Sequence, residues 1–85
     1  MNVKPTPNEL YDAWTSSSEG KKSFEKARAK VKHPPRNVIY DEFAAVDEVW
    51  NDLVLWASEA FNLTSDALEQ NYDEYVVEKL MLNLT

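Results

Sequence analysis

Apolar residues recur along this chain every three or four positions, which is the spacing of a helix face rather than of a strand. The longest row, between residues 40 and 61, comprises Phe43, Val46, Trp50, Leu53, Ala57 and Ala60. Its steps form a heptad seam, which Val49, Trp56 and Phe61 widen into the broad face of a helix in a bundle. The pattern therefore predicts a helix over residues 40–61.

Two shorter helices are predicted before this one. Thr6 and Glu9 have the spacing of a capping box with proline between them at the first helical position, which predicts a helix over residues 7–17. A second helix, over residues 19–32, has a narrow apolar stripe and otherwise basic faces. It ends before Pro34 and Pro35, because proline donates no backbone hydrogen bond and forces its predecessor out of the helical region.

A fourth helix is predicted over residues 65–82, where Leu63 and Leu68 flank Thr64 as a hydrophobic staple. Together these elements predict one all-α domain over residues 1–85: a compact bundle of about four helices. Its two long C-terminal helices are antiparallel and are covered by the two shorter ones, with a flexible N-terminus at 1–5 and a linker at 33–37. The expected core consists of Phe43, Trp50, Leu53, Phe61, Leu68 and Tyr72.

The amino-acid composition argues against several kinds of functional site. The chain has no Cys, so disulfides, thiolate zinc sites and cysteine nucleophiles are excluded, and its one Gly disfavours a glycine-rich phosphate loop. No apolar run reaches the roughly 18 residues of a membrane span. We therefore expect a soluble, cytoplasmic protein that makes no membrane contact.

Basic residues are concentrated in one block, residues 21–36, which holds seven of the nine Lys and Arg residues and one acid, for a net charge of +6. Residues 37–85 hold eleven acids and one Lys, a net charge of −10. The candidate contact residues of this basic face are Lys21, Lys22, Lys26, Arg28, Lys30, Lys32 and Arg36. Two interpretations stay open: the block pairs with the chain's own acidic helices, or it docks onto an acidic or phosphate-bearing partner, including nucleic acid.

A carboxylate stripe is predicted on the third helix. At about 100° per residue, Asp41, Glu48, Asp52 and Glu59 project within about 40° of one another, opposite the seam, and Leu55 lies among them. The stripe is typical of a solvated face, or of a contact surface with an apolar centre. An acidic DNA mimic is a further alternative, since its carboxylate spacing is comparable with that of phosphates.

Catalytic chemistry finds little support in the sequence. The single histidine, His33, precedes two prolines at a helix end, where we expect a solvated loop residue. Adjacent carboxylates diverge by about 100° on a helix and cannot share a metal or a proton. We expect no enzyme activity, no cofactor and no metal.

A second apolar row on the fourth helix consists of Val77, Met81 and Leu84. Either the fourth helix is sandwiched between the third helix and the N-terminal helices, or this row is exposed as a protein contact or homodimer surface. Lys79, in the main apolar stripe, is expected to extend its amine to solvent or to a carboxylate.

These features predict a small, non-enzymatic protein-interaction module that binds another protein through charged helix faces and an exposed apolar row. Its size and composition are similar to those of accessory proteins with which bacteriophages inhibit host machinery, and this resemblance implies an inhibitor in the host cytoplasm. The alternatives are a nucleic-acid-binding protein that uses residues 21–36 and, with less support, the DNA mimic.

Overall fold

Helices make up all the regular structure of this chain in the computed structural model, which describes residues 4–37 and 39–84. In chain order they are α1 (Pro7–Ser16), α2 (Ser18–Lys32), α3 (Glu42–Ala60), α4 (Ser65–Asn71) and α5 (Asp73–Leu84). The predicted all-α fold is therefore confirmed. The radius of gyration of 13.0 Å is close to the value of about 12 Å typical of a compact domain of this length. Most of the predicted flexible N-terminus lies outside the described residues.

Side-chain caps fix where the helices begin. The Glu9 N–H donates to Thr6 Oγ1 at 3.2 Å, and the Thr6 N–H donates to the Glu9 carboxylate at 3.0 Å, which confirms the predicted capping box. Hydrogen bonding by the backbone N–H and then the side chain of Thr6 holds the pKa of the Glu9 carboxyl below its ordinary value. Asp41 caps α3 by accepting the Ala44 N–H at 2.9 Å, and Thr64 caps α4 in the same way.

The turns on either side of α3 use asparagine in the left-handed region. Asn37 has a φ of 63° and Asn62 a φ of 56°, a conformation that asparagine adopts more readily than most other residues. After the second turn, Leu63 and Leu68 are both buried, one before and one after the Thr64 cap. The chain is thereby anchored where it leaves α3.

The helix predicted over residues 65–82 is two helices in the structure, because Tyr72 departs from helical geometry with a φ of −122°. Its buried ring directs the phenol to the segment before α1, where it donates to the Pro5 carbonyl oxygen at 2.6 Å. Hydrogen bonds still cross this residue: the Tyr72 N–H donates to the Leu68 carbonyl oxygen and the Val76 N–H to that of Tyr72, each at 3.0 Å. The predicted helix is therefore interrupted at a single residue, Tyr72.

The face that α3 buries is rotated from the predicted seam. Its buried residues are Ala45, Val46, Val49, Leu53 and Ala57. Val49 lies near the centre of this buried face. Phe43 projects about 120° away from Val49 around the helix and is 66% exposed, so the assignment of Phe43 to the core is wrong. Trp50 is half-buried for the same reason. The buried face turns instead toward the acidic stripe, against which α2 packs.

Gly20 permits the closest approach between α1 and α2. A Cβ atom at this position would overlap the Trp14 carbonyl group of α1. Ser17 holds the turn between these helices, because its hydroxyl donates to the Trp14 carbonyl oxygen at 2.7 Å and accepts the Gly20 N–H at 3.0 Å. The glycine is therefore required by a backbone contact and not by a positive φ.

We expect Gly20→Ala to lower the free energy of unfolding by about 1–3 kcal/mol, because the added methyl group forces α2 away from α1. In an exposed helix the same change would stabilise by about 1 kcal/mol, so the sign of the effect is diagnostic. Urea denaturation at 25 °C measures it, with Ser18→Ala at the exposed start of α2 as control. A Gly20→Ala variant at least as stable as the wild type would show that the helices do not approach this closely.

Candidate functional site

Two lysines of α2 bind two carboxylates of α3. Lys30 Nζ donates to Glu48 Oε1 at 2.7 Å, while Lys26 Nζ lies 3.6 Å from that oxygen and 3.7 Å from Asp52 Oδ2. The Ser23 hydroxyl donates to Asp52 Oδ2 at 2.7 Å, and the Tyr40 hydroxyl donates to the other Glu48 oxygen. Two of the four carboxylates of the acidic stripe, Glu48 and Asp52, are therefore engaged by the chain's own basic helix.

Glu48 is the centre of this network. Partial burial raises the pKa of its carboxyl, but hydrogen bonds from Lys30 and Tyr40 and the charges of Lys30 and Lys26 outweigh that effect and hold the pKa below its ordinary value. Burial and then the neighbouring Glu48 carboxylate raise the pKa of Tyr40, which stays a hydrogen-bond donor. Both shifts favour an ionised Glu48 carboxylate and a neutral Tyr40 hydroxyl, the forms in which these hydrogen bonds are made.

The remaining cations of the basic face have other surroundings. Arg28 donates to Asn83 Oδ1 at 2.6 Å and lies over the Phe24 ring, 5.4 Å from its centroid. Four of the seven are exposed and make no ion pair or hydrogen bond through their side chains within the described ranges: Lys21, Lys22, Lys32 and Arg36. The structure thus divides the basic block into an internal part and an outward part.

A groove of about 420 Å³ runs between α2 and α3 beside the ion pairs. Its lining residues are Trp14, Glu19, Lys22, Ser23, Lys26, Asp52, Leu55, Trp56 and Glu59. We call it the α2–α3 groove. Two surfaces that the sequence predicted separately, one basic and one acidic with an apolar centre, meet here through Lys22 and Lys26 on one wall and Asp52, Leu55 and Glu59 on the other.

Aromatic rings support the floor of the α2–α3 groove. The Trp56 ring is half-buried and packs between Trp14, at a centroid distance of 5.3 Å, and Phe61, at 5.5 Å with the edge-to-face geometry that aromatic pairs favour. Trp14 is fully buried, and its indole N–H has no acceptor among the described residues. Beside these rings Leu55 is 69% exposed, so an apolar side chain in the groove lining faces solvent.

The acidic stripe does not form one free row. Asp41 is used as the cap of α3 and Glu59 is exposed at the α2–α3 groove, whereas Glu48 and Asp52, between them, are held by lysines. The stripe offers fewer free carboxylates than its spacing suggests, which weakens the resemblance to a row of phosphates.

The second apolar row lies mostly inside the molecule. Leu84 is 8% exposed, and Val77 and Met81 are half-buried against the core. Lys79 lies with its amine 5.5 Å from the centroid of the Tyr75 ring, and its carbonyl oxygen accepts a hydrogen bond from Tyr11. The row therefore offers little exposed apolar surface.

Several residues of the site were not singled out by the sequence. Ser23 is buried, as are Phe24 and Ala27 of the same helix. A polar residue among the core-facing positions of α2 was the sequence signal that could have identified Ser23 as part of the site. Tyr40 precedes α3 and carried no signal, since its role depends on where Glu48 lies. His33 is exposed at the end of α2, and no group of three or more potential metal ligands occurs within residues 4–37 and 39–84.

Comparison with known proteins gives no relative. The sequence matches no protein-family model, and no curated protein or solved structure is significantly similar to the chain. No helix in the described part of the chain is both long and apolar enough to cross a membrane.

We expect Glu48→Gln to lower the free energy of unfolding at pH 7 by about 1–2 kcal/mol, because the charged hydrogen bonds to Lys30 and Tyr40 are weakened. Since the folded-state pKa of Glu48 is lowered, its contribution is present above about pH 4.5 and is lost as pH falls through the folded-state value. The difference between wild type and variant should therefore shrink in acid.

Urea denaturation between pH 3 and pH 7 measures this difference. Asp47→Asn is the matched control, because Asp47 is exposed on the far side of α3 and its side chain has no partner among the described residues. Equal stability of Glu48→Gln and wild type at pH 7, or a difference independent of pH, would contradict the assigned role.

Proposed function

We propose that this chain is a non-enzymatic protein-interaction module that binds a segment of another protein in the α2–α3 groove. The observation that carries the proposal is the position of Leu55, which is 69% exposed in the lining of a concave surface beside Trp56. Single exposed leucines are ordinary on protein surfaces, but a leucine beside a tryptophan-floored groove is not isolated. It offers apolar area that only a bound molecule would cover.

The composition of the groove supports a protein as the bound molecule. Protein interfaces have an apolar, often aromatic centre surrounded by a polar rim, and tryptophan is enriched among the residues that dominate binding. Here Leu55 and Trp56 form the centre, while Lys22 and Glu59 belong to the rim. A volume of about 420 Å³ accommodates a few anchoring side chains. A segment held in this way is withheld from its other contacts, so binding would act as inhibition, in line with a phage-type inhibitor.

Two features support a non-enzymatic role. The only histidine, His33, is at the end of α2 and does not line the groove. The carboxylate and amine that approach each other most closely there, Asp52 and Lys26, already form an ion pair. The one hydroxyl–carboxylate hydrogen bond among the described residues of the groove, from Ser23 to Asp52, joins a buried serine to a carboxylate that Lys26 already neutralises, which is a poor arrangement for an activated nucleophile and its base.

A second candidate function, nucleic-acid binding, is favoured by one observation. The side chains of Lys21, Lys32 and Arg36 are exposed and have no acidic partner among the described residues. Phosphate binding by the whole basic face would, however, require Lys26 and Lys30 to leave their carboxylates. A salt titration against a short duplex and a single strand distinguishes the two: affinity at about 50 mM salt that falls steeply with added salt would favour nucleic acid.

The proposal predicts that Leu55→Asp abolishes binding to a protein partner. Affinity capture from cell lysate with quantitative mass spectrometry measures it, and a protein enriched by wild type should fall at least tenfold, as expected for a central interface residue. Leu82→Asp is the matched control, because Leu82 is 68% exposed on α5, away from the groove.

Circular dichroism and thermal unfolding establish that both variants are folded before capture is compared. Enrichment that is unchanged in Leu55→Asp, or equally reduced in Leu82→Asp, would contradict binding in the groove.

A further inference from the structure

A second apolar surface of α3 lies away from the α2–α3 groove. Phe43, Trp50 and Val54 project within about 40° of one another, and we call them the outer row of α3. Phe43 is 66% exposed, while Trp50 and Val54 are half-buried. The row extends over about 16 Å, or three helical turns. Leu55 projects about 120° around α3 from Phe43, so the two surfaces are separate.

The charges on α3 beside the outer row are acidic. The helix has five carboxylates and no Lys or Arg. Asp47 is exposed about 40° around the helix from Phe43. The cations of α2 reach α3 at Glu48 and Asp52, which project about 140° and 180° away from Phe43. On its own helix, the outer row is therefore flanked by acidic and uncharged side chains.

The elements next to α3 follow the same pattern. The helix α5 packs against α3 and exposes Glu74 and Glu78. The cation of α5, Lys79, lies 5.5 Å from the centroid of the Tyr75 ring, whose hydroxyl donates to α1, so this charge belongs to the side of α5 that contacts α1. Arg36, the last cation before α3, belongs to the turn that precedes the helix. Among the described residues, the surroundings of the outer row are thus predominantly acidic.

We infer that the outer row of α3 docks a basic amphipathic helix of a partner protein, with apolar side chains over Phe43 and Trp50 and lysine or arginine at its edges. An exposed apolar surface with a polar rim is typical of protein contacts, in which aromatic residues are enriched. An acidic rim attracts a basic ligand and disfavours an acidic one. This inference goes beyond the proposed function, because it assigns a second surface that does not depend on the α2–α3 groove.

The spacing of the row favours a helix as the bound structure. Phe43 and Trp50 are one heptad apart, which is the repeat of packed helices. The side chains of a docked helix at positions i, i+3 or i+4 and i+7 match a row of this length. The described residues form no strand, so an extended peptide has no sheet edge to which it could add. A second copy of the chain is disfavoured, because it would bring one acidic rim against another.

Three synthetic helical peptides test this inference. They share one leucine stripe and differ only at their polar positions, which are all lysine, all glutamine or all glutamate. Fluorescence anisotropy of the labelled peptides, at about 150 mM salt so that only nearby charges act, gives their dissociation constants. Wild type should bind the lysine peptide at least about fivefold more tightly than the glutamate peptide, with the glutamine peptide between them.

Two truncations on α3 locate the binding site. Phe43→Ala should weaken binding of the lysine peptide at least about fivefold, as expected when a central aromatic contact is removed. Leu55→Ala is the matched control, because Leu55 is on the same helix and is 69% exposed, against 66% for Phe43. It should leave the affinity unchanged. Circular dichroism establishes that both variants are folded.

Two charge reversals on α3 test the acidic rim. Asp47→Lys should weaken binding of the lysine peptide by roughly two- to fivefold, because this charge lies beside the outer row. Glu59→Lys is the matched control, since it makes the same change in net charge about 160° around the helix from Phe43. It should keep the wild-type affinity and the wild-type order of the three peptides.

Equal binding of the three peptides, no binding to wild type, or an equal effect of the two charge reversals would overturn the inference. A larger loss in Leu55→Ala than in Phe43→Ala would also overturn it and would place the peptide in the α2–α3 groove. Sedimentation equilibrium tests for a second copy: a dimer of wild type that is lost in Phe43→Ala would overturn the inference as well. Lysate capture that depends on Leu55 is a separate result, so the proposed function stands or fails independently.

Discussion

The contact of Glu48 with Lys30, Lys26 and Tyr40 is the interaction on which the rest of this molecule depends. It places a carboxylate of α3 under the basic helix and holds Lys26 and Lys30 toward α3, at the edge of the face on which α2 buries Ala27. With Lys26 and Lys30 turned toward α3, Lys22 is left at the outer edge of the contact. On α3, the buried face lies next to this contact, with Ala45 and Val49 buried and Phe43 exposed.

The sequence was sufficient for the elements but not for their rotation. Caps such as Thr6 and stop signals such as Pro34 act within a few residues, so helix ends could be predicted from neighbours alone. The seam of α3 was placed by counting apolar residues, which gave Phe43 and Trp50 the weight of core residues. That count cannot include the long-range contacts by which α2 packs over one side of the helix. Likewise, the break at Tyr72 depends on Pro5, far away in the chain.

The candidate site shows the same division between local and long-range information. The basic and acidic surfaces were each visible in the sequence, as were Leu55 and Lys22 within them. Their meeting in one groove depends on tertiary structure, namely the close contact of Gly20 with α1 and the packing of α2 on α3. From the sequence, the two interpretations, pairing with the chain's own acidic helices or binding to a partner, applied to the whole basic block, residues 21–36. The contacts instead divide it residue by residue, with Lys26 and Lys30 paired internally and Lys22 unpaired.

The most direct test of this division is the free energy of unfolding of two single charge reversals on α2, measured by urea denaturation at pH 7. Lys30→Glu should lose about 2 kcal/mol or more, because it places a second carboxylate beside the half-buried Glu48. Lys22→Glu should change stability by less than about 0.5 kcal/mol, as expected for an exposed side chain without a partner. Equal losses in the two variants, or none in Lys30→Glu, would contradict the account.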